Sequence, residues 1–232
     1  MDHGDEPETE PYADDECVSE LEGSKLVRVK IDPIQAPLPR DVEAFLNDAQ
    51  RRVDEFLEER STDRKLGFFP SDYPLVYTFL DAVRQLDTHA CSLCEWGSGF
   101  GVVAGLGAFL GFSSCGIEID PRLNRRARRL LREHRLDVEI LEGSFIPEEF
   151  AHTAPWSSTQ TSTIFCGAGS NDEVDVTIDD FDVIFAFPWP NEEEVFCELF
   201  QRFAANGALL MTYHALDDVH VYRKVSTEDR DG

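Results

Sequence analysis

No stretch of the 232-residue chain is apolar for long enough to cross a bilayer, and its charge-rich start carries no apolar signal segment. Basic residues are scarce. Only 21 Lys and Arg stand against 46 Asp and Glu, a formal net charge of −25. A chain this acidic repels phosphate backbones at long range, which argues against a nucleic-acid substrate. Six cysteines are scattered without the spacing of a disulfide framework. Cys91-x-x-Cys94 is half a metal knuckle with no second pair at a useful distance, and on a strand residues three apart face opposite ways. No metal set is expected. Reduced, buried thiols in a cytoplasmic protein are.

What is present is enough apolar material for one domain of ordinary size. Much of the acidic excess sits in Asp2 to Glu22, with ten acids and no Lys or Arg. Residues 1–23 therefore read as a disordered tail. The most informative stretch runs from Cys91 to Asp120. An apolar run ends in Gly97, Gly99 and Gly101, a helix-like segment follows, and a second β-like run ends in Gly116-Ile-Glu-Ile-Asp120. This is a strand–turn–helix–strand unit. Glycines let the backbone turn tightly and approach a ligand closely. The helix start then offers free N–H groups. Glu118, nineteen residues after Gly99, stands where a carboxylate accepts the hydroxyls of a ribose. The unit reads as a nucleoside-cofactor site; its bland counterpart is a glycine-rich turn without a ligand.

The rest of the chain alternates. Ser24–Ile31 patterns as a strand, Asp41–Arg60 as a helix, Leu75–Leu86 as a helix capped by Ser71 or Asp72, and Ala90–Trp96 as a strand. Phe100–Leu110 is a helix and Ser114–Ile119 a strand. Pro121 opens a helix with seven arginines between Arg122 and Arg135, which reads as a solvated face or, more sharply, a phosphate patch. Asp137–Leu141 is a third strand of the unit, with a short helix at Pro147–Phe150. Residues 155–179 are polar and small enough to predict a mobile loop. Phe181–Phe187 is a strand, Asn191 caps a helix to about Ala205, and Gly207–Tyr213 and Val219–Val225 are strands. Alternating strands and helices imply an α/β fold, a doubly wound and mostly parallel sheet covered on both faces, with ligands at the carboxyl ends of the strands. Residues 24–89 form an N-terminal strand and helical extension, 90–225 the cofactor-binding domain, and 226–232 a disordered end.

Glu95-x-Gly97-x-Gly99-x-Gly101 resembles motif I of the class I S-adenosylmethionine (SAM) dependent methyltransferases, and the likeness extends from about Gly67 to Tyr213 in order and spacing. It implies a Rossmann-like methyltransferase fold. SAM would be bound by Glu95, Gly97, Ser98, Gly99, Gly101, Glu118, Ile119, Ser144, Phe145 and Phe187. Ser144 stands where the family usually carries an Asp or Asn near the adenine. Phe187-Pro188-Trp189-Pro190 corresponds to motif IV and would line an acceptor slot. Ala186 lacks the side-chain oxygen with which amino-methylating nucleic-acid enzymes hold their target. Phe68-Phe69-Pro70 is similar to a segment ahead of motif I in some protein-lysine methyltransferases. The acceptor implied is an amine on a protein or a small molecule, with Asp72, Tyr73, Trp189, Glu192 and Tyr213 the polar or aromatic candidates at the mouth. Tyr73 and Glu192 join Phe187, Pro188 and Trp189 as the candidate catalytic residues, with no base assigned; Tyr73 and Tyr213 equally suit structural roles and Glu192 a helix dipole.

Two other readings stay open. Gly99-x-Gly101-x-x-Ala104 also matches a dinucleotide fingerprint, so an NAD-dependent oxidoreductase is one. A binding module without turnover is the other. The resemblance also raises a problem of chain length. Methyltransferases of this class finish with two strands, the last inserted antiparallel beside the fifth. After Tyr213 there is chain for only one. The spare segment Lys25–Ile31 either pairs there and covers the open edge or packs locally on the Asp41–Arg60 helix.

Overall fold

The computed structural model describes residues 17–21, 23–59, 68–153, 176–214 and 218–227. Most of the expected tail and of the expected 155–179 loop, and the last five residues, lie outside these. One eight-stranded sheet carries the molecule, in the order β1-β2-β8-β7-β6-β3-β4-β5. Its strands are β1 (Cys17–Leu21), β2 (Ser24–Arg28), β3 (Ser92–Trp96), β4 (Ser113–Glu118), β5 (Val138–Glu142), β6 (Val183–Ala186), β7 (Leu209–His214) and β8 (Asp218–Ser226). The five strands from β5 to β7 are parallel, and β8 is antiparallel to β7. The helices are α1 (Arg40–Glu59), α2 (Tyr73–Leu86), α3 (Val102–Phe109), α4 (Pro121–Glu133), α5 (Glu148–Thr153) and α6 (Glu193–Phe203).

Alternation along each strand sorts side chains to two cores. Leu93 packs with α1, α2 and α3 through Phe45, Leu80 and Leu106. Its neighbours Cys94 and Trp96 face the other layer, with Phe196, Leu199 and Phe200 of α6. Helix α1 forms because Val42, Phe45, Leu46, Ala49, Val53 and Phe56 fall on one stripe, all buried. Helix α2 is capped by Asp72, whose carboxylate accepts the Leu75 N–H at 2.9 Å. Asp182, the one charge in the β6 run, accepts the backbone N–H groups of Cys91 and Ser92 at 2.7 and 2.9 Å, so it pins the amino ends of β3 and β6 together.

The spare N-terminal segment pairs with β8, in antiparallel register from Ser24 opposite Ser226 to Arg28 opposite Tyr222. Strand β2 thus runs in the direction of β7 and covers the edge that β8 would leave open. Three expectations are corrected. Cys17–Leu21, counted with the tail, is strand β1, because Gly23 at φ 82° turns the chain back onto β2 and the Ser19 hydroxyl reaches Gln201 of α6 at 2.6 Å. Asn191 does not cap α6. It sits in the left-handed region at φ 72°, and Glu192 occupies the cap position. Residues 176–179, assigned to a mobile loop, lead into a turn of 3-10 helix at Ile178–Asp180 that buries Ile178.

Candidate active site

The sheet reverses direction of growth at β3: β4 and β5 lie on one side, β6 and β7 on the other. A crevice opens outside the carboxyl ends of strands at such a point. The chain after β3 enters it as Gly97, Gly99 and Gly101, with φ of 67°, 55° and 66°. Three left-handed residues within five positions need glycine, since a Cβ is strained there. A Cβ on Gly97 would meet nothing within 4 Å, so this side of the turn is open. A Cβ on Gly99 would meet the Phe68 ring at 2.4 Å. The segment ahead of α2 therefore packs directly on the turn.

Two buried carboxylates, which the register of β3 and β4 places on one face of the sheet, organise the turn. Glu95, on the face of β3 beneath it, accepts the Ala104 N–H at 2.8 Å and fixes the first turn of α3. Burial lifts its carboxyl to about 8. Glu118 closes the top: one oxygen accepts the Gly99 N–H and the other the Asp120 N–H, both at 2.7 Å. Burial raises its pKa too, partly offset by those N–H groups. Ser98 is buried, and its N–H bonds to Ile117 O at 2.9 Å, stitching the turn to β4. The Ser98 hydroxyl, the Trp96 indole N–H and the Asn124 amide are buried with no hydrogen-bond partner among the described residues.

The other predicted residues divide. Ile119 is half-buried just past β4. Ser144 is buried after β5, its hydroxyl accepting the Ile146 N–H, and Phe145 stacks on Trp96 with ring centroids 4.9 Å apart and planes 7° off parallel. Trp96, Ser144 and Phe145 line one end of a groove of about 840 Å³ that runs down the sheet face to Arg202 and Phe203. The glycine turn is not part of this groove. Phe187 packs edge-on against Tyr213 at 4.8 Å, and Trp189 against Phe69 at 5.3 Å, so the segment ahead of α2 meets the one after β6; Pro188 is buried. Two residues leave the mouth. Tyr73 is buried at the start of α2; burial and then the charge of Glu95 push its phenol far up, and it does not reach the surface. Glu192 is buried at the head of α6, whose first N–H groups its backbone carbonyl receives.

The strand order from β5 to β7, with an antiparallel strand inserted next to β7, decides the architecture. The fold is the Rossmann-like methyltransferase fold. No protein-family model matches the sequence, and no curated protein does. Among solved structures the chain is similar to an RNA methyltransferase from Salinibacter ruber in complex with S-adenosyl-L-homocysteine, at 18% identity and a TM-score of 0.47 over 68% of this chain and 93% of that one. It is also similar to an O-methyltransferase from Bacillus cereus in complex with SAH, at 15% identity and a TM-score of 0.44 over 77% and 68%. Likenesses this distant carry no functional argument, and a shared fold does not fix a reaction.

One constellation escaped the sequence reading. Glu193 at the start of α6, His214 at the end of β7 and His220 on β8 converge, with a ligand atom from each within 4.8 Å of the others. Burial depresses the His214 imidazole, against the pull of Glu193. Burial opposes ionisation of Glu193 as well, yet the Tyr222 hydroxyl and the two imidazoles hold its carboxyl below the usual range. The signal was the alternation Asp218-x-His220-x-Tyr222, which puts three polar groups on one face of a strand.

Proposed function

We propose that this chain is a SAM-dependent methyltransferase whose acceptor is an amine on a protein or a small molecule. The observation that carries the reading is the buried Glu118 carboxylate, which holds the N–H of Gly99 beside the open side of a glycine turn, at the point where the sheet reverses. The residues fit the cofactor in kind. Each Glu118 oxygen keeps acceptor capacity beyond its one N–H bond, enough for two ribose hydroxyls. The turn backbone at Gly97 and Gly99 suits the amino-acid end, and Ile119, Ser144 and Phe145 would flank the adenine. The Ser98 hydroxyl, within the turn itself, is a buried polar group without a hydrogen-bond partner among the described residues that a polar ligand would satisfy. Glu95 acts behind the turn, as the positioning residue for α3.

Bound SAM supplies a methyl group on a sulfonium. What remains for the protein is to position and desolvate the nucleophile. Phe187, Pro188 and Trp189, with Phe69 alongside, form the aromatic border of the acceptor side. An ammonium is attracted to such ring faces, and partial desolvation there favours its neutral, nucleophilic form. A dinucleotide oxidoreductase is disfavoured, because the strand beyond β7 is antiparallel where the second half of a dinucleotide fold adds a further parallel strand.

Calorimetric titration of the full chain with SAM and with NAD tests the reading. SAM should bind with a micromolar dissociation constant, about −8 kcal/mol, and NAD should not. Binding of NAD alone would replace this assignment. SAM binding with no tritiated-methyl transfer to cell extract would point to a module without turnover.

A further inference from the structure

The cluster of Glu193, His214 and His220 belongs to no part of the cofactor site. It lies at the outer flank of the carboxyl edge, where α6 begins and β7 gives way to β8. Glu193 Oε1 is 3.2 Å from His220 Nδ1 and 3.5 Å from His214 Nε2. Metal bonds of about 2.0–2.1 Å in a tetrahedral site set neighbouring ligand atoms about 3.3 Å apart. Two edges of such a site are therefore already at the right length. The side chains are 39%, 19% and 17% exposed for Glu193, His214 and His220, so an ion has access and still gains from partial burial.

The hydrogen bonding gives an independent reason. His220 Nε2 is 2.8 Å from Asp218 Oδ2, so this nitrogen carries a proton and donates it. In the neutral ring Nδ1 then presents a lone pair. It faces Glu193 Oε1, itself an acceptor, with the Tyr222 hydroxyl 2.9 Å from both. The tyrosine has one proton and can satisfy only one of the two. His214 Nε2 faces the same carboxylate oxygen and the Thr212 hydroxyl at 2.8 Å. The centre of the cluster is thus one cation short. Asp218 behind His220 is the carboxylate–histidine arrangement that orients a metal-bound imidazole and raises its basicity.

We propose that Glu193, His214 and His220 form a divalent transition-metal site, suited to Zn²⁺, with Asp218 as the orienting residue for His220. Two neutral imidazoles and a carboxylate are ligands that zinc prefers, and three protein ligands leave a fourth position for water or another small donor. The metal displaces the Thr212 hydroxyl from the His214 lone pair. The proposal does not depend on the methyltransferase reading, since none of its residues touches the glycine turn.

The full chain, stripped with a chelator, is titrated with Zn²⁺ by calorimetry and with Co²⁺ by visible absorption. One equivalent of Co²⁺ should give the intense bands of a four- or five-coordinate ion, bleached by Zn²⁺, and Zn²⁺ should raise the melting temperature. His214→Gln and His220→Gln, checked for native circular dichroism, should each weaken binding at least a hundredfold, and Asp218→Asn roughly tenfold, the usual effect of an outer partner. Absence of saturable binding would overturn the site in favour of a proton bridging the cluster. So would binding unchanged in the double histidine variant, which would place the metal on other residues.

Discussion

At the scale of single residues, two carboxylates a few ångströms from one glycine turn have different tasks. Glu118 is the proposed ribose acceptor, and Glu118→Ala should cost about 1.5–3 kcal/mol of SAM affinity, the worth of hydrogen bonds to a charged group. Calorimetry giving an unchanged affinity would remove it from the site. Glu95 lies beneath, and its effect is on folding. Unfolded, it loses its proton near 4.5; folded, near 8. Between those values the folded state holds the extra proton, so its contribution is greatest below about pH 4.5 and falls as pH rises to about 8. Glu95→Gln keeps an oxygen for the Ala104 N–H and removes the titration. The melting temperature of the variant should fall less steeply between pH 5 and 8 than that of the parent. Glu118, also raised, should leave a residual slope of the same sign. Parallel slopes would show that Glu95 titrates normally. Both acids were legible in the sequence, because each stands at a fixed distance from a glycine. Their division of labour was not, since it depends on which backbone N–H groups the folded turn brings to each carboxylate: Ala104 to Glu95, Gly99 and Asp120 to Glu118.

At the scale of elements, the N-terminal hairpin covers the edge of β8. Leu26 and Val27 of β2 are buried, Gln201 of α6 donates to the Ser24 carbonyl at 2.9 Å, and Lys224 of β8 caps α6 through the Ala204 carbonyl at 2.6 Å. Removal of residues 1–33 should therefore cost several kcal/mol, a large share of a typical stability of about 5–15 kcal/mol, or cause aggregation through the bared β8 edge. Leu26→Ala alone should cost about 2–5 kcal/mol by denaturant unfolding. A truncated chain that stays monomeric with an unchanged transition would mean that β2 merely decorates the sheet. The strand count predicted a vacancy here, and the alternation of Val27 and Val29 supplied its occupant. Strand β1 stayed hidden because its one-sided charge count resembles a tail; pairing through a glycine turn outweighs composition over five residues. Of the arginines of α4, Arg126 pairs with Glu59 at 2.7 Å and Arg129 with Glu133 at 2.8 Å. Exposed pairs of this kind contribute little.

At the scale of the whole molecule, the alternation of strands and helices made the layered α/β architecture readable, and motif order placed the candidate cleft. What sequence could not supply was lateral: that Phe69 meets Trp189, that Tyr73 is buried near Glu95, and that α6, β7 and β8 bring two histidines to one glutamate. Those contacts join segments more than a hundred residues apart, or elements whose facing sides are set only when the sheet closes. A ligand at the switch point would tie the same distant segments together, since the glycine turn follows β3, Glu118 ends β4 and Phe187 follows β6. Binding to the folded state alone stabilises it by RT ln(1 + [L]/Kd), about 4 kcal/mol at a thousandfold excess over a micromolar dissociation constant. For a chain of this length each kcal/mol raises the melting temperature by about 2–4 °C. One millimolar SAM should thus raise it by roughly 8–16 °C, while Glu118→Ala, with about 2 kcal/mol less affinity, should show about half that shift. The same concentration of NAD should leave the transition in place. A folded protein whose melting temperature does not respond to millimolar SAM would refute the cofactor assignment while leaving the fold, and the metal site beside β7, untouched.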